Sequence, residues 1–210
     1  MAQIVLILDQ KKREFIPATF HDDLTTDQMN EAETQWKPVR DAAVKRLLDA
    51  GKTKLEVQRL FQHQHWDWSR KAGLLLGGLL SVRCFGIELN GQWQGLAMFE
   101  LAAHFALLEP DQGKPLIYVE FLETAPWNIA ELVDEPRYGL IGARMIEAAI
   151  RLSISEGFRG RVGLLALPQA EKFYEKKCGM TRVEEAGHHG MAWYELTQKA
   201  AGVFLKGGRS

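Results

Sequence analysis

The residues with most capacity for chemistry lie between positions 116 and 180. Arg137-Tyr138-Gly139-Leu140-Ile141-Gly142-Ala143 stands between an apolar strand and an amphipathic helix. Glycine-rich backbone opening a helix offers free N–H groups and the positive end of the helix dipole, and small residues let an anion come close. Arg137 adds a full charge at the same mouth. The stretch is thus suited to a phosphate, or else is an ordinary strand-loop-helix turn. Glu120 and Glu123 are candidate bases. Glu120 interrupts an otherwise apolar run, and burial would raise a carboxyl toward a usable pKa near neutral pH. The alternative is that each faces solvent or an arginine. Tyr174 carries a phenol that holds its proton at neutral pH, since tyrosine titrates near ~10 and a thiol near ~8.5. It is therefore a candidate proton donor, or else is a core aromatic sharing a helix face with Ala170 and Phe173.

These residues need particular elements around them. Leu116 to Leu122 is an apolar strand apart from Glu120. From about Leu140 to Ser155, Met145, Ala149 and Leu152 recur on one helical face, with Ile146 and Ile150 beside them. Arg161 to Leu167 is a further buried strand, and Pro168 leads into a short helix that ends near Gly179, a residue suited to a left-handed cap. Upstream, Ser81–Leu89 and Gln94–Ala102 are strands joined by Asn90-Gly91, a hairpin turn. Downstream, Thr181–Glu184 and Met191–Leu196 form a last hairpin. Gln3–Leu8 is a short first strand. Lys11 to Asp27 is polar and is expected to be a loop. Thr25 and Thr26 begin a helix, Pro38 fits the first turn of the next, and Thr53 to Glu56 is a capping box for another. Hairpins followed by a strand-helix-strand crossover give a mixed sheet.

Two segments resemble the GNAT superfamily of N-acetyltransferases. Arg137 and Gly142 fill the first and last places of the coenzyme-A loop pattern Gln/Arg-x-x-Gly-x-Gly/Ala. Leu140 replaces the middle glycine, and Gly139 lies one place early. Ala170-Glu171-Lys172-Phe173-Tyr174-Glu175-Lys176-Lys177-Cys178-Gly179-Met180 is similar to the family's Ala-x-x-Leu-Tyr-Glu-Lys-x-Gly-Phe segment, with one extra residue before Gly179. The resemblance covers about residues 80 to 197 and implies an α/β fold. Its mixed, mostly antiparallel sheet of six or seven strands would carry helices on both faces. A single domain is expected: residues 1–80 supply a first strand and helices, 81–197 the cofactor-binding core, and 198–210 a frayed tail.

The resemblance also implies an acetyl-CoA-dependent enzyme that moves an acetyl group to a primary amine by direct attack. Backbone at Leu122, Glu123 and Thr124 would hold the pantetheine arm, and Arg137 to Ala143 the diphosphate. Tyr174 would be the acid, with Glu120 or Glu123 the base. Trp127 and Asn128, where the sequence departs from the family, would shape the acceptor pocket, or Trp127 would only cap the core. The runner-up is a non-catalytic acyl-CoA-binding module. Homodimers are common in the family, and the acceptor is either a small molecule or a protein.

Composition narrows the field. Twenty-six basic and 27 acidic side chains in 210 residues leave no large net charge, and no basic stripe marks a nucleic-acid partner. No apolar run approaches the ~20 residues of a membrane span. Cys84 and Cys178 are expected to stay reduced, in a cytoplasmic protein. His63-Gln64-His65-Trp66-Asp67-Trp68 carries two histidines and a carboxylate without a third metal partner at a recognised spacing. It is read as an aromatic helix end packed on the sheet, with an acceptor-pocket wall as the alternative and no metal.

Overall fold

The computed structural model describes residues 3–76, 81–101, 103–188 and 190–207. Gly77, Gly78, Ala102, His189 and the last three residues of the expected tail lie outside the described residues. Among the described residues nine strands follow the chain: β1 (Gln3–Asp9), β2 (Glu14–His21), β3 (Val82–Leu89), β4 (Gln92–Glu100), β5 (Ile117–Thr124), β6 (Tyr138–Gly139), β7 (Val162–Ala166), β8 (Thr181–His188) and β9 (Met191–Leu196). Six helices join them: α1 (Thr26–Asp49), α2 (Lys54–Leu60), α3 (Trp68–Leu76), α4 (Ile141–Ser155), α5 (Glu171–Lys176) and α6 (Gln198–Gly207). The strand order is β6-β1-β2-β3-β4-β5-β7-β9-β8. β5 and β7 run parallel, whereas β1–β2, β1–β6, β2–β3, β7–β9 and β8–β9 are antiparallel. The mixed sheet agrees with expectation, but nine strands replace the six or seven expected. The added strands are β2 and β6.

The chain gathers into two compact units. One comprises Met1–Leu80, Cys84–Leu96 and Glu123–Gly142. Its first element is a hairpin, not the loop expected over Lys11 to Asp27. Asp9 turns the chain by accepting the N–H groups of Lys11 and Lys12, each at 3.0 Å. β2 then alternates, with Phe15 and Pro17 exposed and Ala18 buried. Pro17 is tolerated because the β2–β3 register covers only Thr19 to His21.

α1 starts where Thr25 suggests, in a capping box closed by Gln28. Pro38, however, lies inside this helix and does not open another. An interior proline costs about 3 kcal/mol. Met29, Ala32, Trp36 and Ala43 are buried at helical spacing on both sides of it, and the burial of these apolar side chains offsets that cost; Glu33 and Arg40 are buried on the same face. Thr53 and Glu56 cap α2 reciprocally, as expected. Asp67 accepts the N–H of Arg70 at 3.0 Å at the start of α3.

The second unit comprises Ser81–Arg83, Ala97–Leu122 and Ala143–Ser210. Ala106, Leu116, Tyr118 and Trp193 pack together, with the Tyr118 and Trp193 rings stacked at 5.6 Å. Glu195 is buried yet satisfied: it accepts the indole N–H of Trp193 and the backbone N–H groups of Leu107 and Leu108. The expected tail is helical through Gly207. Asp111 accepts the N–H of Gln198 at 2.9 Å, and Ala201 is buried against Gly160, where an added Cβ would stand 2.9 Å from the Ala201 methyl.

Candidate active site

β5 carries both candidate bases, and the structure separates them. Glu120, the acid that breaks the apolar run, is exposed. Glu123 is enclosed, with no exposed side-chain surface. Its Oε2 accepts the indole N–H of Trp68 at 2.7 Å, and its Oε1 accepts Nη1 of Arg40 at 3.3 Å. His63 Nε2 lies 3.6 Å from Oε1. Arg40 also donates to Glu33 through Nη2, and Glu33 accepts the backbone N–H of Trp68 at 2.9 Å. Two carboxylates, one guanidinium and the indole and backbone N–H groups of Trp68 thus form a closed ring of hydrogen bonds within the first unit.

Burial lifts the Glu123 carboxyl to about 7 against the pull of Arg40, Trp68 and Lys71. Burial also drives His63 down to about 3, with Arg40 adding to the effect, so its ring is neutral. Among the described residues no group of three or more His, Cys, Asp or Glu side chains is placed to hold a metal. Phe61 and His63 meet edge-on at 4.3 Å, and Trp36 and Trp68 at 6.4 Å. Glu33, Arg40 and Lys71 were not singled out from sequence. The available signal was a pair of charged residues at i and i+7 on the apolar face of α1.

Leu122 and Thr124, expected beside the pantetheine arm, are half-buried on β5. Trp127 and Asn128 sit in a 3-10 turn and belong to a second network. Gln94 is fully buried, and its Oε1 accepts the Trp127 indole at 2.9 Å and Nδ2 of Asn128 at 3.2 Å. Asn128 Oδ1 accepts the N–H of Tyr138 at 3.0 Å. This fixes the entry to the expected cofactor loop.

Arg137 is exposed, its guanidinium 5.6 Å from the Trp127 ring centre, and its backbone bonds Trp127 and Gln10. Tyr138 and Gly139 pair with Asp9 and Leu8 as β6. Leu140 has a φ of 69°, the left-handed conformation, so the chain sets a leucine where the family pattern has glycine. A Cβ on Gly139 would meet Leu8 only at 3.6 Å, an ordinary contact. Ile141 begins α4, placing Gly142 and Ala143 in its first turn, where N–H groups have no acceptor within the helix.

Tyr174, in the second unit, is buried on α5. Its ring meets Phe173 edge-on at 5.2 Å and lies 6.4 Å from Tyr194. Burial pushes its phenol up, with the Cys178 thiol adding to the effect. The Cys178 thiol is itself pushed up to about 12 by burial. Gly179 adopts a φ of 67° after the helix, as a left-handed terminator.

No family model matches the sequence, and no curated protein matches it. Solved structures do match the fold. The GNAT domain of S. lividans PAT is 12% identical, with 93% of this chain and 96% of that one covered and a TM-score of 0.51. A GNAT-family acetyltransferase from Listeria monocytogenes 4b F2365 is 12% identical, with 91% and 99% covered and a TM-score of 0.50. The chain has the fold of the GNAT acetyltransferases.

Proposed function

We propose that this chain is an N-acetyltransferase that uses acetyl-CoA to acetylate a primary amine. The carrying observation is the likeness of nearly the whole chain to GNAT-family structures. The residues present fit the cofactor. Gly142 and Ala143 are small residues in the first turn of α4, and the exposed Arg137 guanidinium suits a diphosphate. Arg137, Tyr138, Gly139, Leu140, Ile141, Gly142 and Ala143 would hold that diphosphate, with Leu122, Glu123 and Thr124 backbone along the pantetheine arm. When bound, acetyl-CoA supplies an activated acetyl thioester.

Glu123 has no open path to an amine, so its part is to fix the end of β5 against α1 and α3. Glu120 is the carboxylate that solvent reaches, and it would take the proton from the attacking amine through water. Tyr174 holds its proton more tightly than a free phenol. It would therefore stabilise a departing thiolate by hydrogen-bond donation, since complete transfer from the weaker acid is uphill. Trp127 and Asn128 would border the acceptor, held in place by Gln94. Both cysteines are free and buried, which suits a reducing cytoplasm. Among the described residues no helix is long and apolar enough to cross a membrane.

A second reading, an acyl-CoA-binding module without turnover, is favoured by Leu140 in the glycine place and by the enclosure of Glu123. The deciding experiment measures free thiol released from acetyl-CoA against a panel of small amines and peptides, alongside calorimetric binding of coenzyme A. Amine-dependent thiol release establishes the transferase. Binding without release across the panel establishes the module, and neither binding nor release removes both.

A further inference from the structure

The turn between β1 and β2 stands against the expected cofactor loop. Gln10 donates its backbone N–H to the Arg137 carbonyl at 3.0 Å, and Asp9 and Leu8 pair with Tyr138 and Gly139. A Cβ built on Gly139 would stand 3.7 Å from Cγ of Gln10. The next three residues, Lys11, Lys12 and Arg13, are exposed cations. Their backbone is braced: one oxygen of Asp9 accepts the N–H groups of Lys11 and Lys12, each at 3.0 Å. Arg13 takes a φ of 55°, a conformation that glycine or asparagine adopts more easily. Lys12 is paired with Glu14 at 3.4 Å. Among the described residues no ion pair joins Lys11 or Arg13 to a carboxylate. A fixed turn thus holds two cations without a counter-ion beside residues 137–139, all within the first unit. Their mutual repulsion is relieved by an anion that both can reach.

We propose that Lys11 and Arg13 bind the 3′-phosphate of coenzyme A, an inference that rests on the reading of Arg137 to Ala143 as the diphosphate site. Coenzyme A carries its phosphates in two places: the diphosphate, and a monoester on the 3′-oxygen of the adenosine ribose. The monoester holds about −1.5 to −2 charge at pH 7 and offers three acceptor oxygens. It is joined to the diphosphate through the ribose alone, so a site for one brings the other close. Lysine supplies a compact charge and arginine a planar fork of donors, both suited to such a group. Arg137 would meet the diphosphate, which coenzyme A shares with its 3′-dephospho form. The turn would read the one group that tells the two apart.

The test is calorimetry of the full chain with coenzyme A and with 3′-dephospho-coenzyme A at pH ~7.5, above the second phosphate ionisation near ~6. The parent should bind coenzyme A about tenfold more tightly than the dephospho form at low salt, and added salt should narrow the gap. The double variant Lys11→Gln, Arg13→Asn keeps the Asp9 turn and the Lys12–Glu14 pair, and asparagine suits the left-handed position. It should bind coenzyme A only as tightly as the parent binds the dephospho form, with its affinity for the dephospho form unchanged. Arg137→Ala should weaken both ligands alike. Equal affinity of the parent for the two ligands overturns the 3′-phosphate assignment and leaves the diphosphate site standing, as does a gap that survives in the double variant. Binding of neither ligand overturns the diphosphate reading and this inference with it.

Discussion

The indole N–H of Trp68 reaches Glu123 at 2.7 Å and ties the end of β5 to the first residue of α3. The same residue's backbone N–H reaches Glu33 on α1, so one tryptophan joins three elements. Arg40 makes the complementary link between the two acids. Arg40→Met should therefore be severe, because it leaves two enclosed carboxylates without their guanidinium. A loss of about 3–5 kcal/mol is expected. Trp68→Phe, which removes the indole donor, should cost about 1–3 kcal/mol, plus a smaller sum for lost ring volume. Urea denaturation at pH 7 measures both. Equal, small losses would show that the network contributes little.

The ring of charges should also write a pH signature. Glu123 is raised from 4.5 to about 7, so its stabilising contribution is complete below pH 4.5 and is lost as pH rises through 7. His63 is lowered from 6.5 to about 3, so its contribution is complete above pH 6.5 and is lost as pH falls through 3. The two slopes oppose each other between pH 4.5 and 6.5. In Glu123→Gln only the histidine slope survives. Between pH 4.5 and 7 the variant should gain roughly 3 kcal/mol on the parent, whatever its constant offset. Parallel stability curves for the two proteins across that range would contradict the burial of an ionisable Glu123.

Gly142 is in the first turn of α4, where bulk and negative charge are least welcome to a diphosphate. Gly142→Glu should abolish coenzyme-A binding. Arg137→Ala should weaken it less, since an exposed contact is partly screened by salt. Calorimetry at two salt concentrations separates the cases, and unchanged affinity in Gly142→Glu would withdraw the loop as the cofactor site.

For Tyr174, the phenylalanine variant keeps the ring and its edge-on contact with Phe173. If the hydroxyl serves the leaving thiolate, Tyr174→Phe should lower kcat by about 10²-fold with acetyl-CoA affinity kept. Normal turnover would leave Tyr174 as a core residue only.

Much of the fold was legible because its signals are local. Asn90 and Gly91 both take positive φ in their turn, and Thr53 caps α2 within three residues. β2 was harder to see because Pro17 interrupts it and a basic turn precedes it. The final helix was obscured by glycines, while its docking depends on Asp111 and Gly160, both distant in sequence. The site was legible only in outline. An acid within an apolar strand pointed to Glu120, yet the enclosed acid is Glu123, whose partners lie 83 residues away at Arg40 and 55 away at Trp68. Strand periodicity does not report such partners.

Pro38 falls between Glu33 and Arg40, so the ion pair spans the turn in which α1 lacks a backbone hydrogen bond. In water the same pair would be worth only a few tenths of a kcal/mol, far less than the ~3 kcal/mol an interior proline costs. A peptide of residues 25–50 should therefore break into two short helices. The continuity of α1 depends on the buried side chains either side of Pro38, Met29, Ala32 and Trp36 before it and Ala43 after it, and any event that exposes them makes Pro38 a joint.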